Sequence, residues 1–101
     1  MLKMEETTGL MLSDNYKDRF LAEYIQTKIR CERLNAFLTK IEAANRTVFA
    51  DVENGEIRVG KPDHNCPEHL LRDQLYAMRE YLHILEIRAV IEGINLQVVM
   101  E

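Results

Sequence analysis

Two long segments whose interiors lack glycine and proline constrain this chain more than any other feature. In each, apolar residues recur at alternating spacings of four and three, which places them on one face of an α-helix. We therefore predict helix 1 over residues 13–44 and helix 2 over residues 66–92. The first apolar stripe consists of Phe20, Tyr24, Thr27, Cys31, Leu34, Leu38 and Ile41. The second consists of Leu71, Leu75, Met78, Leu82, Leu85 and Ala89.

Residues at the ends of both segments are typical of helix termini. Residues 13–15 offer N-cap side chains to helix 1. Pro67 fits the first helical position of helix 2, and Glu68 places a negative charge there, one turn before Arg72. Gly93 follows the last turn of helix 2, where a left-handed residue commonly ends a helix.

The chain is predicted to be a single, mostly α domain of 101 residues. Two long amphipathic helices pack most simply as an antiparallel, coiled-coil-like hairpin. Residues 1–12 show no clear apolar period, which predicts a flexible arm. Residues 94–101 are predicted to form a tail.

The connection between the helices is far longer than a helical hairpin needs. Its residues 48–59 read VFADVENGEIRV, and the dipeptide Asn54-Gly55 favours the type I′ turn of a β-hairpin. The predicted ribbon is apolar on one side, which would lie on its own helices, a neighbouring copy or another protein. Its other side and turn supply the candidate partner-binding residues Phe49, Asp51, Glu53, Asn54, Glu56 and Arg58.

Helix 2 carries more apolar residues than one hairpin can bury. The surplus lies outside or at the edge of its stripe and comprises Tyr81, Ile84, Ile87, Val90, Ile91 and Ile94. An exposed patch of this size marks an interaction surface, so we predict a homo-oligomeric bundle, a dimer in its simplest form. The alternative is that residues 1–12 and the tail cover this face within one chain.

No group of residues in the sequence predicts catalysis. Asp63, His64, Cys66 and His69 are potential zinc ligands, but their spacing matches no common zinc finger and favours a polar loop before helix 2. The four glycines are isolated, so no glycine-rich phosphate loop is present. We predict a non-enzymatic protein without a cofactor or metal.

The net charge and the lack of a long apolar run predict a cytoplasmic protein that does not bind nucleic acid directly. A net charge of −4 disfavours direct nucleic-acid binding, and no apolar run is long enough to span a membrane or to serve as a secretory signal. The helices also carry dispersed basic residues, which either form surface ion pairs or converge on a phosphate in an oligomer. These are Arg19, Lys28, Arg30, Arg33, Arg72, Arg79 and Arg88.

Two motifs resemble those of small phage and prophage helical-hairpin proteins. The first pattern, E-Y-x-x-x-K-x-R, is matched by Glu23, Tyr24, Lys28 and Arg30. The second, Q-L-x-A-M-x-x-Y-L-x-x-L-x-x-R, is matched by Gln74, Leu75, Ala77, Met78, Tyr81, Leu82, Leu85 and Arg88. The resemblance extends loosely to phage anti-defence proteins, some of which oligomerise and sequester cyclic nucleotide immune signals.

The resemblance implies a phage-encoded anti-defence protein that acts in the bacterial cytoplasm by binding. Our leading hypothesis is an anti-CRISPR-type inhibitor, because an acidic ribbon is suited to the basic channel of a CRISPR effector. The first alternative is a sponge that sequesters a cyclic nucleotide signal. The second is a structural or assembly protein of the virion.

Overall fold

A computed structural model describes residues 2–47 and 61–97 of the chain, and these residues are mostly helical. A 3₁₀ helix at Met4–Thr7 runs into α1, Thr8–Met11, and is followed by α2, Tyr16–Thr47, and α3, Glu68–Glu92. Helices α2 and α3 correspond to the predicted helices 1 and 2, so the helical fold predicted from the sequence is confirmed. The predicted β-hairpin at residues 48–59 lies outside the described residues.

The two long helices form an antiparallel hairpin around an aliphatic core. Side-chain hydrogen bonds join Tyr24 to Glu86 near one end and Asn45 to Glu68 at the other, which fixes the opposite direction of α3. The buried core consists of Phe20, Tyr24, Cys31, Leu38, Ile41, Leu75, Leu82, Leu85, Ala89 and Ile94. All but Ile94 belong to the two stripes predicted from the four-three spacing.

The N-terminal segment, residues 2–12, packs on α2 and is not the flexible arm that its sequence predicts. Its apolar side chains contact Ile25 and Ile29, which lie on the side of α2 away from α3. Thr7 is fully buried, and its hydroxyl donates to the carbonyl of Met4 at 2.6 Å. Helix α2 therefore lies between two layers, the N-terminal segment and α3.

The helix termini use the residues predicted for them, with one shift. Asn15 caps α2 by accepting the backbone N–H of Lys17 at 3.0 Å. Pro67 precedes α3 rather than starting it, because its ψ of 141° is extended. Gly93 has a φ of 69°, and Ile94 donates its backbone N–H to Ala89 at 2.8 Å, as expected for a left-handed cap.

Ile94 is not part of the exposed face to which the sequence assigned it. The capping turn at Gly93 directs the chain back, and Ile94 is buried in the α2–α3 core with an exposed fraction of 7%. The other five predicted interface residues are exposed: Tyr81, Ile84, Ile87, Val90 and Ile91. In the described part of the chain, neither the N-terminal segment nor residues 94–97 cover them.

Candidate ligand-binding groove

One stripe of α2 combines three arginines with a glutamine. Arg19, Gln26, Arg30 and Arg33 are separated by seven, four and three residues, so they follow one another along a single side of the helix. This side lies between the face covered by the N-terminal segment and the face packed on α3. We call it the arginine stripe.

The N-terminal segment turns the arginine stripe into a groove. A cavity of about 510 Å³ is lined by both elements, and a second of about 330 Å³ adjoins it towards Arg19. The two cavities share Met11, Gln26 and Arg30. Volumes of this size are typical of small-molecule sites. The groove is therefore large enough for a ligand the size of a nucleotide.

Hydroxyl and amide groups fix the wall of the larger cavity. Gln26 donates from Nε2 to the Thr7 hydroxyl oxygen at 2.8 Å, and that hydroxyl donates in turn to Met4. Thr8 lines the same cavity, and its hydroxyl donates to the carbonyl of Glu5 at 3.0 Å. The Gln26–Thr7 bond joins the N-terminal segment to α2, and the two bonds within the segment stabilise its helical turns, so the wall of the groove is held in place by the protein's own contacts.

The guanidinium groups of Arg30 and Arg33 carry the positive charge of the larger cavity. Within residues 2–47 and 61–97, the arginines in ion pairs are Arg46, Arg72 and Arg88. Arg30 and Arg33 have no carboxylate within 4.0 Å there, so their charges are not neutralised by a close partner.

Two acidic residues limit the positive charge of the groove. Glu5 lines the larger cavity and Glu23 the smaller one. Glu23 accepts a hydrogen bond from the hydroxyl of Tyr81, and this bond, with partial burial, raises the pKa of Tyr81.

Arg19, at the far end of the arginine stripe, donates from Nη1 to the carbonyl of Ser13 at 2.6 Å. The cationic pair Arg30 and Arg33 is thus the part of the groove best suited to an anion.

A third cavity, of about 450 Å³, lies on the opposite side of the hairpin. It is lined by Tyr24, Lys28 and Glu86, together with residues from the end of α3 and the chain after it. The Lys28 ammonium lies 5.9 Å from the centre of the Tyr24 ring. Burial, followed by the charge of Glu86, raises the pKa of Tyr24. With Glu86 beside its single lysine, this cavity is less suited to a phosphate than the groove.

The other sites considered from the sequence do not come together in the structure. The six partner-binding candidates of the predicted ribbon lie outside the described residues. His64, Cys66 and His69 are not gathered into a metal-binding cluster with Asp or Glu in the described ranges. His64 instead places Nδ1 2.6 Å from the Cys66 carbonyl and packs edge-on against Phe37.

The residues that form the N-terminal wall of the groove, and the glutamine that bonds to it, are not predicted by the sequence patterns described above. The sequence predicts a flexible arm for the segment that holds Thr7, Thr8 and Met11, and it gives no prediction for Gln26. The signal that could have found them is the pair Ile25 and Ile29. These two large residues lie outside the α2 stripe, so another segment had to cover them.

Comparison with known proteins assigns the chain to a family. No curated protein and no solved structure shows significant similarity to it. No helix in the described ranges is long and apolar enough to cross a membrane. The sequence pattern of the Sequestin family, in contrast, matches residues 14–91, which include the arginine stripe and nearly all of α3. The chain belongs to the Sequestin family.

Proposed function

We propose that this protein is a sponge, which sequesters a cyclic nucleotide immune signal in the groove between the N-terminal segment and α2. The name of its family indicates a sequestering, and therefore binding, role. The observation that carries the proposal is the pair Arg30 and Arg33. Both residues line a cavity of about 510 Å³, and neither guanidinium has a carboxylate within 4.0 Å among the described residues.

The groove offers the contacts that a nucleotide phosphate requires. Arginine guanidinium groups bind phosphate oxygens through two parallel hydrogen bonds, and the bonds are strengthened by charge. Arg30 and Arg33 are three residues apart, or about 4.5 Å along the helix axis, so both can reach one phosphate or two linked ones. Thr8 and Gln26 supply polar groups, and the Met11 side chain an apolar surface, for the remainder of the ligand.

Sequestration needs affinity and no chemical step. A sponge lowers the free concentration of a signal by binding it, and a preformed groove favours tight binding because less of the protein has to be ordered. The hydrogen bonds of Thr7 to Gln26 and Met4 provide that rigidity. A phage-encoded protein acting in this way in the bacterial cytoplasm would deprive an immune effector of its activator.

The leading hypothesis from the sequence, an anti-CRISPR-type inhibitor, is not supported by the family match. That hypothesis depended on the acidic face of the predicted ribbon, whose residues lie outside the described ranges. The family match favours the alternative, the cyclic nucleotide sponge. The ribbon at residues 48–59 stays a prediction, and so does the homo-oligomer, which the exposed isoleucines of α3 favour.

The test is calorimetric titration of the purified protein with a panel of cyclic mononucleotides, dinucleotides and cyclic ADP-ribose isomers. We expect at least one member to bind and to be recovered chemically unchanged after the protein is denatured. The double variant Arg30→Gln/Arg33→Gln should weaken binding at least tenfold, or about 1.4 kcal/mol.

The control is Arg46→Gln, which removes one positive charge from α2, where the double variant removes two. Arg46 is paired with Glu42 at 2.9 Å, away from the groove. Its affinity should equal that of the wild type. Binding of no panel member would contradict the proposal, and recovery of a hydrolysed ligand would indicate an enzyme instead.

A further inference from the structure

A fourth cavity, of about 460 Å³, extends the groove beyond Arg33. It lies between the beginning of the N-terminal segment and α2, and it shares Met4, Glu5 and Arg33 with the larger cavity of the groove. On α2 it reaches Ala36, which follows Arg33 by about 4.5 Å along the helix axis. A ligand bound at Arg30 and Arg33 can therefore continue into this cavity.

The floor of the fourth cavity is apolar. Ile29 is buried, and Leu2 and Met4 are half-buried. These three residues belong to one apolar cluster between the N-terminal segment and α2. Ala36 contributes only a methyl group to the wall, which leaves the space above the floor open. Such a floor favours a ligand that brings an apolar surface of its own.

The charged residues at the rim of the fourth cavity balance one another. Lys3 and Arg33 are positive, Glu5 and Glu32 are negative, and all four are exposed. Within residues 2–47 and 61–97, none of the four is in an ion pair. An anion gains no net attraction from this balanced set, in contrast to the pair Arg30 and Arg33. The rim instead offers hydrogen-bond donors and acceptors to a neutral group.

We propose that the fourth cavity holds the purine base of the sequestered nucleotide, while Arg30 and Arg33 hold its phosphate; this assignment rests on the sponge function proposed above. A purine has two flat, apolar faces and an edge of hydrogen-bonding groups. It therefore matches a cavity with an apolar floor and a polar rim of no net charge. Ligand sites in proteins commonly combine these two features.

Arg33 is suited to contact both parts of such a ligand. Its guanidinium group is planar, with N–H donors that point outward in the plane and faces that stack on aromatic rings. One edge can donate to the phosphate while one face lies against the base. Met4, which also lines both cavities, adds a thioether, and contacts between sulfur and aromatic rings are favourable.

The rim selects a purine that carries an amino group. Ionised carboxylates such as those of Glu5 and Glu32 only accept hydrogen bonds, so they favour a base edge that donates. Adenine and guanine each carry an exocyclic amino group, whereas hypoxanthine carries none. We therefore expect inosine 5′-monophosphate to bind more weakly than the better of adenosine 5′-monophosphate and guanosine 5′-monophosphate. The comparison of these two also identifies the preferred base.

Calorimetric titration with ligands that share a phosphate but differ in the base tests the assignment. The better of the adenosine and guanosine monophosphates should bind the wild type about tenfold more tightly than ribose 5-phosphate, which has no base. Ala36→Phe places a ring in the fourth cavity and should abolish this difference. Its affinity for ribose 5-phosphate should equal that of the wild type.

The matched control is Ala43→Phe, the same substitution seven residues later on the same side of α2 and outside the cavity. It should keep the wild-type preference for the base. Arg30→Gln should weaken the binding of all these ligands by a similar factor, because the phosphate is common to them. If Ala36→Phe does not fold, as judged by circular dichroism, Ala36→Leu makes the same test with a smaller side chain.

Two results would overturn the base site. One is equal affinity of the wild type for the purine monophosphates and ribose 5-phosphate. The other is an Ala36→Phe variant that binds the purine monophosphates as tightly as the wild type does. Either result leaves the sponge proposal standing if a member of the cyclic nucleotide panel binds at Arg30 and Arg33. Absence of binding by every nucleotide, cyclic or not, would overturn both proposals.

Discussion

Tyr24 shows how a single buried residue connects the two long helices. Its ring is 3% exposed, and its hydroxyl donates to Glu86 across the hairpin at 3.3 Å. The four-three spacing predicts that Tyr24 lies in the core. The partner of its hydroxyl could not be predicted, because Glu86 is reached only once the register of α3 against α2 is set by packing.

The raised pKa of Tyr24 predicts a loss of stability in alkaline solution. Burial and the nearby Glu86 disfavour the tyrosinate in the folded protein, whereas the unfolded chain ionises near its ordinary pKa of about 10. A pKa that is raised on folding stabilises the folded state fully below the unfolded pKa. This contribution is lost as the pH rises from about 10 through the higher folded-state pKa.

Urea unfolding measured at intervals between about pH 8 and pH 12 checks this sign. The free energy of unfolding of the wild type should fall more steeply above about pH 10 than that of Tyr24→Phe. The control is Tyr76→Phe, which removes the hydroxyl of a tyrosine that is 60% exposed and should follow the wild type. Identical slopes for Tyr24→Phe and the wild type would contradict the assignment.

At the scale of the element, Gly93 and the residue after it determine where α3 stops and what the chain does next. The left-handed φ of 69° turns the chain so that Ile94 returns to the core. The sequence was sufficient to predict the cap from a glycine that follows a helical period. It assigned Ile94 to the exposed face all the same, because heptad spacing assumes that the helix continues.

Substitution of Gly93 by alanine should destabilise the protein by about 1 to 2 kcal/mol. A Cβ at this position would have no heavy atom within 4 Å, so the effect comes from the left-handed backbone and not from a clash. Gly9→Ala is the matched control, since its added Cβ also meets nothing and Gly9 lies within the helical conformation of α1. Alanine there should be neutral or stabilising by up to about 1 kcal/mol.

Thermal unfolding followed by circular dichroism compares the two glycine variants. A lowered midpoint for Gly93→Ala beside an unchanged or raised midpoint for Gly9→Ala is the expected pattern. Equal shifts in both variants would show that the cap at Gly93 does not depend on its left-handed conformation.

The N-terminal segment marks the limit of sequence reasoning at the scale of the element. A 3₁₀ helix and α1 have four residues each, too few for an apolar period to emerge. Their position depends on Ile25 and Ile29, which belong to a different element. The hairpin could be predicted because each long helix carries its own repeating signal, whereas the groove arises only when two elements meet.

At the scale of the whole molecule, the distribution of charge matters more than its sum. The net charge of −4 predicts poor binding of polyanions. The same chain aligns Arg19, Arg30 and Arg33 on one side of α2, where a small anion encounters mostly positive charge. At about 0.1 M salt, charges more than about 10 Å away are largely screened, so the acidic residues elsewhere on the elongated surface contribute little.

Binding of an anionic nucleotide should therefore weaken as salt is added, despite the acidic character of the protein. Between about 0.05 M and 0.5 M sodium chloride, we expect the Kd for the nucleotide that binds in the calorimetric panel to rise several-fold. If the net charge alone governed binding, added salt would lower the Kd, because salt screens the repulsion between an acidic protein and an anion. Titrations over this range with Arg30→Gln/Arg33→Gln should show a flatter dependence, while Arg46→Gln should keep the wild-type slope. Tighter binding at high salt would show that apolar contacts, and not the arginine stripe, hold the ligand.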